Sequence, residues 1–204
     1  MTISPLHILT GPEVIHSPIP GGATMAIRRF LVIHFTAGAS AQSSINWWRD
    51  PKAKGTSAHI VIDRDGTIYQ CRPFNRTAGH AGSSKWKDPK TGILYHGLNA
   101  CSIGIELANA GDNWKLAGNW TKLPPVVAYH KHGGPERKWE DYPEPQITAL
   151  EALTLLLFER YNLDDLIGHE DISRGRKTDP GPAFTPHMIH LRTRLGLPSK
   201  IPTL

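Results

Sequence analysis

The sequence predicts an α/β fold, a single domain in which helices flank a central mixed β-sheet. Three observations carry that expectation. Residues 27–35, Ile-Arg-Arg-Phe-Leu-Val-Ile-His-Phe, become a continuous β-branched and aromatic run, the composition of a strand covered on both faces. Residues 58–63 and 67–72 are apolar segments joined by Arg64-Asp65-Gly66, and an Asp-Gly pair in that setting signals a hairpin, because glycine accepts the backbone angles of a tight turn. In residues 145–161, Ile147, Leu150, Leu153, Leu157 and Tyr161 recur every three to four positions and so share one buried helical face.

Taken in chain order, residues 1–25 form an N-terminal wrap, since 5–23 are rich in proline and glycine. The strand at 27–35 places His34 near its C-terminal end. After the turn at 36–40, residues 41–50 form a short helix that stops before Pro51, because the residue preceding a proline disfavours helical geometry. One of Trp47 and Trp48 is expected in the core. The hairpin follows, and then 102–108, Ser-Ile-Gly-Ile-Glu-Leu-Ala, alternates in part and reads as a further strand with Glu106 near its end. From 109 to 142 the sequence turns polar and Gly/Pro-rich around Trp114, Trp120 and Trp139, which makes 109–144 a loop-rich insertion of the length that usually serves function. Pro145 suits the first turn of the long helix. A short strand or turn at 165–168 leads to His169, and 186–195 close the chain as a helix. Strand, helix, hairpin, strand and helix, with no repeat or linker between them, describe one sheet packed by helices over residues 1–204.

Composition excludes several classes. With 39% apolar and 20% charged residues, and no run near the ~20 apolar residues that span a bilayer, the chain is neither disordered nor membrane-inserted. A net charge of +5 suits a polyanionic partner, whether nucleic acid, an anionic envelope polymer or a membrane surface. No nucleic-acid recognition motif accompanies it, so nucleic acid is not expected as a partner. Cys71 and Cys101 are too few for a disulfide scaffold and too far apart for a zinc knuckle or redox pair, and both read as small buried apolar residues. The N-terminus lacks a basic patch followed by an apolar run, so synthesis in the cytoplasm without a signal peptide is expected, as a monomer.

The densest chemistry lies in 168–182, Gly-His-Glu-Asp-Ile-Ser-Arg-Gly-Arg-Lys-Thr-Asp-Pro-Gly-Pro, a stretch too rich in glycine and proline for a regular helix. Imidazole and carboxylate are good ligands for a borderline ion such as zinc, whose catalytic sites keep three protein ligands and one open position. His169 and Asp179 could supply two, and His34 at a strand end is the best-placed third. The competing reading is a hydrogen-bonded strand-end histidine and a salt-bridged surface loop in which Asp179 makes a turn before Pro180. A His-Glu-x-x-His helix is absent from the sequence.

In order along the chain, Val32-Ile33-His34-Phe35-Thr36-Ala37, the block from Ser57-Ala58-His59 to Tyr69-Gln70, Ala78-Gly79-His80-Ala81-Gly82, Ser102-Ile103-Gly104-Ile105-Glu106-Leu107 and the block from His169 to Phe184 resemble one family. It is the zinc-dependent N-acetylmuramoyl-L-alanine amidases of the type 2 class, which take in AmpD-like muropeptide amidases, phage amidases and peptidoglycan recognition proteins. The resemblance implies that family's fold, one Zn2+ per chain held by His34, His169 and Asp179, and hydrolysis of the amide between the lactyl group of N-acetylmuramic acid and L-alanine of the stem peptide. It implies Glu106 as the acid/base and Lys177 as a cation over the metal, where negative charge develops on a carbonyl oxygen. His80 matches a position beside the cleft and is a substrate-binding candidate, as is His59, which either orders its strand or lines the groove. The implied partners are peptidoglycan or muropeptides, met in the cytoplasm by a recycling enzyme or at the cell wall by a lysin. The alternative is a peptidoglycan-binding module without catalysis, which some relatives become by losing a metal ligand.

Overall fold

A computed structural model describes residues 1–199; the last five positions of the expected 1–204 domain lie outside the described residues. β1 (Thr2–Ile3) and β2 (Leu9–Thr10) form a small antiparallel ribbon, followed by β3 (Val14–His16). β4 (Phe30–Phe35) is buried over its first five residues. α1 (Ala41–Arg49) starts at a capping box in which the side chains of Ser40 and Ser43 each accept from the other's backbone N–H, and it ends before Pro51. β5 (Ile60–Ile62) and β6 (Ile68–Gln70) are the expected hairpin, closed by Gly66 at φ +89°; the Pro145 carbonyl would lie only 2.8 Å from a side chain there. β7 (Lys85–Lys87) and β8 (Leu94–His96) pair antiparallel, and β9 (Ser102–Leu107) follows. Then come α2 (Trp114–Ala117), the antiparallel pair β10 (Val126–Ala128) and β11 (Arg137–Trp139), and α3 (Glu144–Tyr161), which ends at Asn162 in the left-handed region. β12 (Asp165–Gly168) runs directly into the single-turn α4 (His169–Ile172), and α5 (Thr185–Arg194) completes the described fold.

The main sheet has six strands in the order β12-β4-β9-β5-β6-β3. Its first four run parallel, β6 is antiparallel to β5, and β3 returns parallel to β6, so the sheet is mixed. Alternate residues of a strand face opposite ways. Leu31 and Ile33 of β4, with Ile103, Ile105 and Leu107 of β9, therefore meet Leu150, Leu153 and Leu157 of α3 in the main core. Phe30 and Val32 pack on the other face with Trp86, Leu98 and Ile167. Gln146 fixes α3 to the sheet by donating to the carbonyls of Ile62 and Ala108.

Parallel register decides where the chemistry gathers. His34 pairs with Glu106, Glu106 also pairs with Val61, and Ile33 pairs with Gly168, so His169 emerges beside His34. The C-terminal ends of β12, β4 and β9 thus open on one shared crevice, the usual binding edge of open α/β sheets.

Several expectations need correction. The N-terminal wrap contributes β3, which satisfies the outer backbone groups of β6 as a true sheet edge. β4 starts at Phe30, later than expected, and ahead of it the Arg28 guanidinium donates to the carbonyls of Met25 and Ala26. Loops make up most of the 109–144 insertion, which also holds α2 and the β10-β11 pair, with Trp139 buried and its indole N–H donating to the Ala128 carbonyl. The segment after β12 makes one helical turn, α4, before its glycines and prolines break it. Cys71 is buried, and burial pushes its thiol up to about 12, whereas Cys101 is only partly buried. Among the described residues, no helix is long and apolar enough to cross a membrane.

Candidate metal centre and cleft

Three elements deliver three donor atoms to one point. His34 comes from the end of β4, His169 from the first position of α4, and Asp179 from the loop that follows. His34 Nδ1 lies 2.9 Å from His169 Nδ1 and 3.0 Å from Asp179 Oδ2, and His169 Nδ1 lies 2.9 Å from Asp179 Oδ2. All three residues are buried. Among the described residues this is the one cluster able to hold a metal ion.

The loop is pinned from several sides. Glu170 N–H donates to the Asp179 carbonyl at 2.7 Å, and Tyr142 O–H to the Pro180 carbonyl at 2.7 Å. The Arg176 guanidinium donates to the carbonyls of Ala81 and Ser83 and to Ser173 Oγ, tying this loop to the His80 segment. On the far side, Glu170 and Asp171 meet the insertion: His130 Nε2 is 2.6 Å from Glu170, and Lys131 Nζ is 2.7 Å from Glu170 and 2.8 Å from Asp171. The insertion therefore braces the helix that carries His169.

Electrostatics suit a cation. Burial, with His169 close by, pulls the His34 imidazole down to about 4 against the opposing pull of Asp179, so its ring is neutral at neutral pH. Burial acts to raise Asp179, but the adjoining imidazoles of His169 and His34 outweigh it and hold the carboxyl well below the usual range. Imidazole nitrogens and one carboxylate oxygen converging in a buried space form a zinc-type donor set, so these residues fit the ion that the resemblance implies.

Glu106 stands one strand away and borders the cleft. Its Oε2 is shut off from solvent and has no hydrogen-bond partner among the described residues. Burial first, and then the charge of Asp179, raise its carboxyl well above the ordinary value, while Lys177 pulls it down. Lys177 faces the same cleft of ≈ 360 Å³, whose wall also includes Thr36, Ala37 and Trp47. Ala37 adopts φ +53°, and Thr36 Oγ1 accepts from Gly38 N–H, which shapes this wall just before α1. Trp48 is buried while Trp47 is 50% exposed, so one of the pair is core as expected and the other lines the cleft. A groove of ≈ 720 Å³ beside Glu13, Asp65 and Glu144 is larger but holds no comparable cluster.

Of the two other candidate histidines, His80 adjoins His34 and His59 adjoins His80. His59 is fully buried, with Nε2 2.8 Å from the Arg76 carbonyl and Nδ1 accepting from Gly104 N–H at 3.0 Å. It orders β5 against β9, one of the two alternatives the sequence leaves open for it, and it is not among the residues that line the cleft. His80 borders the cleft but is 6% exposed, and its ring nitrogens face His34 and Ser102. Sequence reasoning missed Arg176 as a clamp and Asn99, whose Oδ1 accepts from the N–H groups of both His80 and Ala81. An asparagine following Gly97-Leu98 was the available signal for a turn that holds a neighbouring loop.

The family described as N-acetylmuramoyl-L-alanine amidase matches residues 23–182. The chain is 34% identical over 139 residues to the 1,6-anhydro-N-acetylmuramyl-L-alanine amidase AmpD of Enterobacter cloacae, covering 66% of this chain and 55% of that one. It thus spans about half the length of the curated relatives it matches. Among solved structures, an AmpD derivative superposes with a TM-score of 0.61 at 25% identity, covering 94% of this chain and 99% of that one. The N-acetylmuramyl-L-alanine amidase AmiD of E. coli, solved with the substrate anhydro-N-acetylmuramic acid-L-Ala-D-gamma-Glu-L-Lys, also gives 0.61, at 30% identity over 86% of this chain and 60% of that one.

Proposed function

The chain belongs to the N-acetylmuramoyl-L-alanine amidase family, and from that premise we propose that it hydrolyses the amide between the lactyl group of N-acetylmuramic acid and L-alanine of the stem peptide, using one zinc ion per chain. The observation that carries this reading is the unpartnered Oε2 of Glu106 beside the converging His34, His169 and Asp179. When bound by those three side chains, the ion supplies Lewis acidity toward water and toward a carbonyl group. Glu106 takes a proton from the attacking water and delivers it to the departing L-alanine nitrogen. Its raised pKa suits both halves of that task, because a carboxyl that titrates nearer neutrality gives its proton back more readily. Lys177 faces the carbonyl oxygen as it gains negative charge and stabilises it electrostatically.

The +5 charge complements the carboxylates of a stem peptide, and the exposed face of Trp47 provides an apolar wall for a sugar or peptide. The substrate class is soluble anhydro-muropeptide or the same linkage in polymeric peptidoglycan. A module that binds peptidoglycan without cutting it has no use for the complete set of three ligand side chains, Glu106 and Lys177. The experiment incubates the purified chain, with zinc and with chelator, on anhydro-muropeptide and on purified sacculi, and follows stem peptides with a free L-alanine amine. Zinc-dependent release from either substrate supports the proposal. Intact substrates at full zinc occupancy, with the protein retained on sacculi, support the binding module instead.

A further inference from the structure

We propose that His80 is a positioning residue, which fixes the proton of His34 on Nε2 and leaves Nδ1 as a bare lone pair facing the metal site. Ser102, the first residue of β9, sets the hydrogen-bond directions that lead to the site. The Ser102 hydroxyl lies 2.6 Å from the Leu98 carbonyl, which only accepts, so its single proton is committed there. Its oxygen therefore offers only lone pairs to His80 Nε2, at 3.2 Å, and the Ser102 carbonyl at 3.3 Å offers only lone pairs as well. Nε2 of His80 must be the N–H donor. A neutral imidazole has one N–H, so His80 Nδ1 is an acceptor, and it lies 2.9 Å from His34 Nε2. His34 Nε2 then carries the proton, and Nδ1 faces His169 Nδ1 and Asp179 Oδ2 with its lone pair free. One serine hydroxyl thus sets every proton from Leu98 to the metal-facing atom.

The ring is built into place. Its backbone N–H donates to Asn99 Oδ1, and its plane crosses that of His34 at 86° with centroids 5.0 Å apart. Gly104 lies beneath it, where a Cβ would stand 2.4 Å from His80 Cγ. This close approach explains a glycine in the interior of β9, a position that ordinarily weakens a strand. Both ring nitrogens are engaged by the protein, and the ring also borders the cleft.

The inference rests on the metal site of the proposed function but is read without substrate. In the metal-free protein, histidine 15N–1H correlation spectra report which ring nitrogen of His34 is protonated. Zinc affinity is then measured by competition with a chromogenic chelator for wild type, His80→Leu and His80→Asn, the last placing an amide oxygen where Nδ1 accepts. The expected results are a single Nε2–H tautomer in wild type, a loss of ~10–100-fold in zinc affinity for His80→Leu, and affinity restored toward wild type in His80→Asn. An Nδ1–H tautomer in wild type, or wild-type zinc affinity in folded His80→Leu, overturns the assignment. Because the tautomer is read in wild type, a leucine variant that fails to fold does not remove the test. A wild type with the Nε2–H tautomer and tight zinc binding that cleaves no substrate refutes the proposed function alone.

Discussion

Replacing Arg64 with methionine is expected to destabilise the protein by about 3–5 kcal/mol, the cost of leaving one member of a buried ion pair without its partner. Arg64 joins three segments through one guanidinium. Nε and Nη2 donate to the two oxygens of Glu140, at 2.6 and 2.9 Å, and Nη1 donates to the Ala39 carbonyl just before α1. Glu140 is 1% exposed, and its other partner is the backbone N–H of Ala110. Methionine keeps most of the apolar stem but strands a carboxylate that water cannot reach. For a chain of this size each kcal/mol shifts the melting temperature by roughly 2–4 °C, so Arg64→Met should melt about 6–20 °C lower. Adding Glu140→Gln to Arg64→Met should recover part of the loss, because the penalty belongs to the unpaired charge. The assay is urea and thermal unfolding of both single variants and the double variant, at fixed metal content, with limited proteolysis of the insertion as a local readout. A cost below about 1 kcal/mol for Arg64→Met, the range of an exposed pair, refutes the reasoning.

Other consequences follow from the same geometry. Asp179→Ala should lose zinc and activity together, whereas Glu106→Ala should keep zinc and lose turnover; metal analysis beside kinetics separates them, and equal metal loss in both contradicts the roles assigned. Lys177→Met should lower the turnover rate and move the acidic limb of the rate profile to higher pH, because Lys177 pulls the Glu106 pKa down and its removal favours the neutral carboxyl. A change confined to KM counts against the placement of Lys177. Burial, opposed by the Arg76 carbonyl, pulls His59 down from 6.5 to about 4, so the unfolded chain takes up a proton before the folded one does. Its contribution, on the order of 3 kcal/mol, is therefore present above pH 6.5 and is lost as pH falls toward 4. Urea unfolding between pH 7 and 4.5 should show a shallower pH slope for His59→Gln, and an unchanged slope contradicts the buried neutral state.

The elements legible in the sequence are those whose burial is written in local periodicity. β4, the β5-β6 hairpin, β9 and α3 each carry apolar side chains at the spacing their geometry requires. β3, the β7-β8 pair and the β10-β11 pair are three residues each, largely exposed along their length, and exist through pairing that no short window reveals. The ligand candidates were legible because histidine and aspartate concentrate in one glycine- and proline-rich segment whose blocks resemble a family. Their proximity to His34 and Glu106 was not, since it depends on parallel register between strands far apart in sequence. The directions of the His59 and His80 rings were equally hidden, because a sequence names a side chain without saying which neighbour takes its proton. Trp47 and Trp48 show the same limit: adjacent positions on a helix face different ways, and packing alone decides which one is buried.

The most direct test of the central claim is a zinc titration of chelator-stripped protein, with amide cleavage of an anhydro-muropeptide measured at each addition. The account predicts negligible cleavage in stripped protein and a rise that saturates at one equivalent, with no such rise for Asp179→Ala. Full-rate cleavage by protein shown to contain no metal, or a titration of wild type that leaves cleavage at the stripped level, contradicts it.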